Sequence, residues 1–299
     1  MEREAFRALL LEGPLLLDGG MGSLLIAAGL ERGRAPEHWV LERPERVEAA
    51  HRAYVEAGSG AVQTNTFGAS PPKLAASGLE GRCREVNRLA VSIAKSAAAG
   101  RALVAGDVGP TGLLRPPMGQ ATEDDFLRAF REQVSALAEA GADFISIETM
   151  FDLAEALAAL QAAVETGLPV VASMTFEKKK RGFFTIMGDP LVDSLRALKS
   201  GGADAAGFNC SVTSGVMLEM VREAAPSMGV PLAAQPNAGQ PRAVPEGITY
   251  DASPEAFAGD LAAMALSGAR ILGGCCGTDP GFIRRARAAL DAASRKTHA

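Results

Sequence analysis

Apolar residues in this chain come in short runs, each followed by a polar or glycine-rich break and then by a longer stretch in which apolar positions recur with helical period. The short runs are Leu15 to Asp18, Ala61 to Phe67, Ala102 to Val108, Phe144 to Met150, Val170 to Phe176, Ala205 to Cys210, Leu232 to Asn237 and Arg270 to Gly274. They predict eight strands. The amphipathic stretches predict eight helices, at Pro44 to Ala57, Arg84 to Ala99, Glu123 to Ala140, Leu153 to Thr166, Pro190 to Ser200, Gly215 to Ala225, Pro254 to Leu266 and Pro280 to Ala293. Asp189-Pro190, Ser253-Pro254 and Asp279-Pro280 each place a capping side chain before a proline in the first turn. Eight strands alternating with eight helices is the count of a (β/α)8 TIM barrel. No linker-like stretch divides the chain, so residues 1–299 are expected to form a single domain.

An open, doubly wound sheet also alternates strands and helices. The placement of polar residues separates the two. In a closed barrel the C-terminal ends of all strands form one rim, and chemistry-bearing residues should recur there. The strand ends read Asp18-Gly-Gly-Met-Gly22, Gln63-Thr-Asn-Thr-Phe-Gly68, Gly106-Asp-Val-Gly-Pro-Thr-Gly112, Glu148-Thr-Met150, Ser173-Met-Thr-Phe176, Gly207-Phe-Asn-Cys-Ser211, Gln235-Pro-Asn-Ala-Gly239 and Gly273-Gly-Cys-Cys-Gly-Thr278. Seven of the eight carry Asp, Asn, Glu, Gln or Cys, and the fifth offers hydroxyls.

Composition narrows the chemistry. With 30 Lys+Arg against 35 Asp+Glu, and Lys178-Lys179-Lys180-Arg181 as the longest basic run, the chain lacks the footprint of a nucleic-acid protein. That run is expected to lie in a solvated loop. No leader-like N-terminus or membrane-spanning stretch is legible, so a cytoplasmic protein is expected. There cysteines serve as ligands or nucleophiles more often than as disulfides. Of the four, Cys83 reads as a small core residue. Cys210 and the pair Cys275 and Cys276 are 65 residues apart, yet a barrel brings all three to one mouth. Three thiolates make a soft site suited to zinc with a fourth position open. Adjacent cysteines point to opposite sides of an ideal strand, so both reach one ion only if the backbone turns, a freedom expected of Gly273, Gly274 and Gly277. A vicinal disulfide would instead demand a strained ring.

Hydrolytic zinc sites keep neutral histidines and a water. Here the only histidines are His38, His51 and His298, none at a strand end. Three thiolates leave the metal electron-rich, so a fourth, substrate thiolate would stay nucleophilic, and the expected chemistry is S-alkylation of a small thiol. The protein cysteines would then be ligands rather than nucleophiles.

These residues resemble the zinc-dependent homocysteine S-methyltransferases, and within them the N-terminal homocysteine module of cobalamin-dependent methionine synthase. The motifs that carry the likeness are Leu16-Leu-Asp-Gly-Gly-Met-Gly22, Gln63-Thr-Asn-Thr-Phe-Gly-Ala69, Gly106-Asp-Val-Gly-Pro-Thr-Gly112, Asn209-Cys-Ser211, Pro236-Asn-Ala-Gly239 and Gly273-Gly-Cys-Cys-Gly-Thr278. The resemblance implies zinc on Cys210, Cys275 and Cys276, with the homocysteine thiolate in the fourth position and Asn237 holding it when substrate is absent. It implies that Asp18 and Glu148 receive the substrate ammonium, and that amides around Gly19 and Gly20 cradle its carboxylate. Asn65 and Thr66 are further substrate-binding candidates.

The betaine-using branch carries a tyrosine where this chain has Gly68, and a tryptophan ahead of its Pro-Glu step where this chain has Arg34; Trp39 lies beyond that step and reads as packing. The donor implied is methylcobalamin from another domain or chain, with cobalamin- and folate-binding partners. S-methylmethionine or S-adenosylmethionine used by a stand-alone enzyme is the alternative. A non-catalytic zinc or thiol-binding protein is the competing class.

Overall fold

The computed structural model describes residues 1–244 and 247–297. Eight parallel strands form the sheet: β1 (Leu15–Leu16), β2 (Ala61–Gln63), β3 (Leu103–Val108), β4 (Phe144–Met150), β5 (Val170–Met174), β6 (Ala205–Thr213), β7 (Leu232–Asn237) and β8 (Ala269–Leu272). From β2 to β8 each strand pairs with the next, and β8 returns to pair with β1 through Leu15 opposite Ile271 and Leu16 opposite Leu272. Between β1 and β2 the Gly60 amide donates to the Leu16 carbonyl at 2.7 Å. This cyclic order makes a (β/α)8 TIM barrel and excludes the doubly wound alternative.

All eight expected helices are present, three with unchanged or nearly unchanged limits: Pro44–Ala57, Glu123–Glu139 and Pro254–Leu266. Ser253 caps its helix by accepting from Ala256 N at 3.2 Å, and Asp279 accepts from Gly281 N at 2.7 Å. Asp189 does not cap. Its carboxylate accepts from the Thr185 hydroxyl at 3.0 Å, and Pro190 itself stands at the helix entry without a side-chain cap. The basic run falls on an exposed antiparallel hairpin, Glu177–Lys179 with Gly182–Phe184, rather than in an irregular loop; β5 accordingly stops at Met174, short of Phe176.

The N-terminal helix Arg3–Glu12 had no counterpart among the expected elements. Its Phe6 and Leu10, four residues apart and therefore on one face, plug the N-terminal end of the barrel. There they meet Leu15, Ala61, Ala105, Phe144, Val171, Ala205, Ala233 and Ile271, with the Phe6 and Phe144 ring centroids 5.0 Å apart. Small alanines on four of these strands leave the room that the phenylalanines fill. Arg3 and Arg7 clamp the plug to Asp204 at 3.0 and 2.7 Å, and Asp204 in turn accepts from Val170 N. One end of the barrel is thus sealed, and its polar strand ends face the other.

Candidate active site

At the open end, a cavity of about 490 Å³ is lined by residues from the ends of β1, β2, β3, β4 and β6 and from the turn after β8. Among its walls are Asp18, Asp107, Glu148, Cys210, Cys275 and Cys276. The sulfurs of the three cysteines all lie within 4.8 Å of one another, the one such cluster of metal-ligating side chains among the described residues. Cys210 Sγ and Cys276 Sγ are 3.9 Å apart. An ideal tetrahedron with metal–sulfur bonds of 2.3 Å has edges of about 3.8 Å, so the trio fits a zinc-sized centre. Beside it, Asn237 is buried and its Oδ1 has no hydrogen-bond partner, an orphan that a metal would satisfy.

The backbone aims these side chains by leaving the regular strand. Cys210 and Ser211 both adopt the left-handed region, with φ of 58° each, and β6 shifts register against β7 between Asn209 and Thr213. Non-glycine residues hold that conformation only where surrounding contacts enforce it. β8 ends at Leu272, before the expected Gly274, and the cysteine pair lies in the turn that follows. Of the three flanking glycines only Gly277 uses a positive φ, 80°. Gly273 and Gly274 serve close approach instead: a Cβ on Gly273 would lie 2.9 Å from Leu17 Cβ, and one on Gly274 would collide with Thr278. Thr278 ties the turn down, donating its hydroxyl to the Cys275 carbonyl at 2.7 Å and accepting from the Gly20 amide at 3.1 Å. The Tyr54 hydroxyl donates to the Thr278 carbonyl at 3.0 Å.

The three converging thiols shift one another's acidity in opposite directions. Cys210 is held down, to about 3, by hydrogen bonds from the Cys275 and Cys276 thiols, with the Ser211 amide and Asn237 adding to them against the effect of burial. Cys275 and Cys276 are pushed up in turn, Cys276 to about 12, chiefly by their hydrogen bonds to Cys210. A divalent cation would let all three ionise together. Cys83, by contrast, is buried outside the cavity walls and donates to the Ala69 carbonyl at 3.3 Å; burial pushes it up to about 12. It is a core residue, as its sequence context implied.

The substrate-side candidates divide. Asp18 and Glu148 both line the cavity. Asp18 Oδ2 accepts from Gln63 N at 3.0 Å while its buried Oδ1 has no partner. Glu148 is raised to about 7, first by burial, with a hydrogen bond from Gln63 opposing and the Cys210 charge adding. Gly19 and Gly20 line the cavity too, but the Gly20 amide is committed to Thr278. The helix Met21–Ala27 that follows has no side-chain cap, and its first residues Met21 to Ser23 line the same wall. Asn65 lines the cavity with its amide donating to the Pro36 carbonyl at 2.9 Å. Thr66 does not reach the cavity. Its hydroxyl donates to the Asp107 carbonyl at 2.7 Å and supports the loop beneath. Trp39 is buried against Leu25, Leu30 and Val40. Neither His38 nor His51 lines the cavity, although His38 Nε2 lies 2.9 Å from the carbonyl of Ser77, which does; His298 lies outside the described residues.

The structure adds a set of amides that strand-end composition alone did not single out. Asn209 donates to Glu148 Oε2 at 3.1 Å and to Thr149 Oγ1 at 2.7 Å, and accepts from Thr149 N at 2.7 Å. Thr149 itself is left-handed, with φ of 61°. Gln63 donates to Glu148 Oε2 at 3.3 Å and accepts from Gln235 at 2.7 Å. This chain of amides crosses the barrel mouth and fixes Glu148 next to the cysteines.

The family model for homocysteine S-methyltransferases matches residues 15–290, which spans every strand and both cysteine segments. The chain belongs to that family. Among homocysteine S-methyltransferase relatives it is 33% identical over 295 residues to the methionine synthase of Mycobacterium tuberculosis and 31% identical over 295 residues to that of Mycobacterium leprae. Each alignment covers 91% of this chain but 24% of the relative, so the chain spans about a quarter of their length. The metallated form of the homocysteine methyltransferase MmuM from Escherichia coli superimposes with a TM-score of 0.77 at 27% identity, covering 92% of this chain and 96% of that one. Its apo form gives 0.72 at 25% identity.

Proposed function

We propose that this barrel transfers a methyl group to the thiolate of L-homocysteine, giving methionine, with a zinc ion that Cys210, Cys275 and Cys276 would hold together with Asn237 Oδ1 in the absence of substrate. The observation that carries this reading is the convergence of three sulfurs within 4.8 Å beside an orphaned buried oxygen, at the wall of a cavity that also holds carboxylates. When bound, zinc supplies deprotonation of the substrate thiol and keeps the resulting sulfur nucleophilic at neutral pH. The chain's own residues do the rest. Asp18 and Glu148 receive the ammonium, Gln63 and Asn209 orient Glu148, and the amides of Gly19 and of Met21 to Ser23, on either side of the committed Gly20, face the substrate carboxylate. In-line attack by sulfur then requires the donor to enter the open end of the cavity.

For the donor, the reading is methylcobalamin carried on another domain or chain, with this barrel, residues 1–299, as the homocysteine domain of a methionine synthase beside cobalamin- and folate-binding partners. The likeness to methionine synthases, of which the chain matches about a quarter, supports it. So does Gly68: its amide donates to buried Glu37 at 2.6 Å, and a Cβ there would lie 3.0 Å from Glu37 Oε1, so the tyrosine of the betaine-using branch would fit here only if Glu37 shifted. A cytoplasmic setting, which keeps thiols reduced, suits three free thiolates. One observation favours the second reading, a stand-alone enzyme using S-methylmethionine or S-adenosylmethionine: the match to MmuM runs the length of both chains. A donor panel on the purified, zinc-loaded chain separates them. Homocysteine methylation by supplied methylcobalamin supports the first reading; about one zinc per chain without turnover on that donor overturns it.

A further inference from the structure

Two buried carboxylates in the cavity present an oxygen with no hydrogen-bond partner, and only one of them, Asp18, has a role above. The other is Asp107, at the end of β3 between the Gln63 and Glu148 strands. Its backbone is fully engaged: Asp107 N donates to Thr64 Oγ1 at 2.9 Å, and its carbonyl accepts from Thr66 at 2.7 Å and from Gln133 at 3.4 Å. Its carboxyl is less so: the Val108 amide bears on it, but Oδ1 finds no partner. The side chain is 5% exposed, lines the cavity, and leaves Oδ1 unpaired. Burying a carboxylate without partners is costly, so such a group in a folded protein points to a missing partner. Burial first, and then the neighbouring carboxyls of Glu148, Asp18 and Glu37, push its pKa well above the usual carboxylate range, so it ionises only when positive charge enters beside it. A cationic ligand group matches that unpaired oxygen.

We propose that Asp107 is a third acceptor for the substrate's α-ammonium group, completing a cradle with Asp18 and Glu148 and making the site selective for thiols that carry an amine. The inference rests on the homocysteine reading above. An ammonium has three N–H donors and no acceptor, and its compact charge is best matched by acceptors that converge from several directions. Asp18 on β1, Asp107 on β3 and Glu148 on β4 supply these from three strands of one rim, with Oδ1 of both aspartates still free. Selectivity follows because a thiol lacking the amine brings no cation to let these carboxyls ionise, and so forgoes the charge-assisted hydrogen bonds they would make.

The test is calorimetric binding of homocysteine and of its deaminated counterpart, 4-mercaptobutanoate, to the zinc-loaded full chain, in wild type, Asp107→Asn and Asp107→Ala. Wild type should prefer homocysteine. Asp107→Ala should weaken homocysteine about tenfold or more, the scale of one hydrogen bond to a charged group, while changing the deaminated thiol less than about threefold. Asp107→Asn, which keeps one carbonyl acceptor and the same shape, should fall between. Because the variants remove a costly buried carboxyl, the thermal midpoint without substrate should hold or rise.

Equal loss for both thiols with a falling midpoint would make Asp107 a support for the fold and overturn the inference. Unchanged preference in both variants would overturn it while leaving the homocysteine reading intact. A wild type that binds neither thiol would overturn that reading and the inference with it.

Discussion

His51 sits in helix Pro44–Ala57, fully buried, with neither ring nitrogen partnered. Burial alone lowers it to about 4 from an ordinary value of 6.5. Its folded value lies below its unfolded one, so the unfolded chain takes up the proton first. Stability from this residue is complete above about pH 6.5 and is lost as pH falls toward 4. His51→Leu should therefore be flatter than wild type: between pH 7 and pH 5, urea unfolding should show the difference between them shift by about 2 kcal/mol in the variant's favour. At the same scale the four cysteines separate by role. Cys83→Ser should retain full zinc content by elemental analysis, whereas Cys210→Ser should lose zinc and cut homocysteine methylation by more than the roughly 10- to 100-fold typical of groups one step removed from a metal.

Elements carry a different set of consequences. The helix Arg3–Glu12 closes the sealed end of the barrel through Phe6, which packs on Phe144. Phe6→Ala should cost about 3–5 kcal/mol of stability in chemical denaturation, while zinc content of the folded fraction stays at the wild-type level, because the plug lies at the opposite end from the cysteines. This helix also shows where sequence reading stops. The eight barrel strands were legible because each apolar run is bounded by polar or glycine residues, and Phe144–Met150 and Leu232–Asn237 were placed at their true limits.

Short elements such as Arg3–Glu12, Met21–Ala27, Glu37–Glu42 and Pro71–Ala76 carry too few periodic positions to stand out, although Phe6 and Leu10 at a spacing of four were a usable signal. The cysteine site was legible for a topological reason: once eight strands are counted, Cys210 and the Cys275–Cys276 pair must share a rim. What composition could not show was orientation. Nothing in the letters Asn209-Cys-Ser211 reveals two left-handed residues, and Thr66, a strand-end hydroxyl like any other, turns down into the loop. The Gly20 amide was unavailable for a reason 258 residues away, at Thr278.

For the whole molecule, the large continuous core sets how much the metal can matter to folding. Zinc fingers collapse without their ion because they have little else; this barrel packs strands, eight flanking helices and a plug around an extensive apolar interior. Chelation should therefore lower the thermal midpoint without unfolding the chain at 25 °C, and the midpoint should recover with added zinc in a concentration-dependent way. Loss of the far-ultraviolet circular dichroism signal on chelation would contradict this. Among the described residues no helix is long and apolar enough to cross a membrane.

The last helix, Pro280–Thr297, starts just after the cysteine turn and runs 18 residues back along the outside of the barrel. At about 1.5 Å per residue it delivers the chain roughly 27 Å from the thiols, toward the plugged end. Were the proposed donor-carrying domain joined behind Thr297, its tether would begin on that far face and have to pass around the flank. About eight extended residues are needed merely to regain that height. Delivery of the methyl group becomes a problem of tether length and effective concentration: fusions with shorter linkers should transfer in trans only, between molecules, while longer ones should gain an intramolecular rate independent of protein dilution.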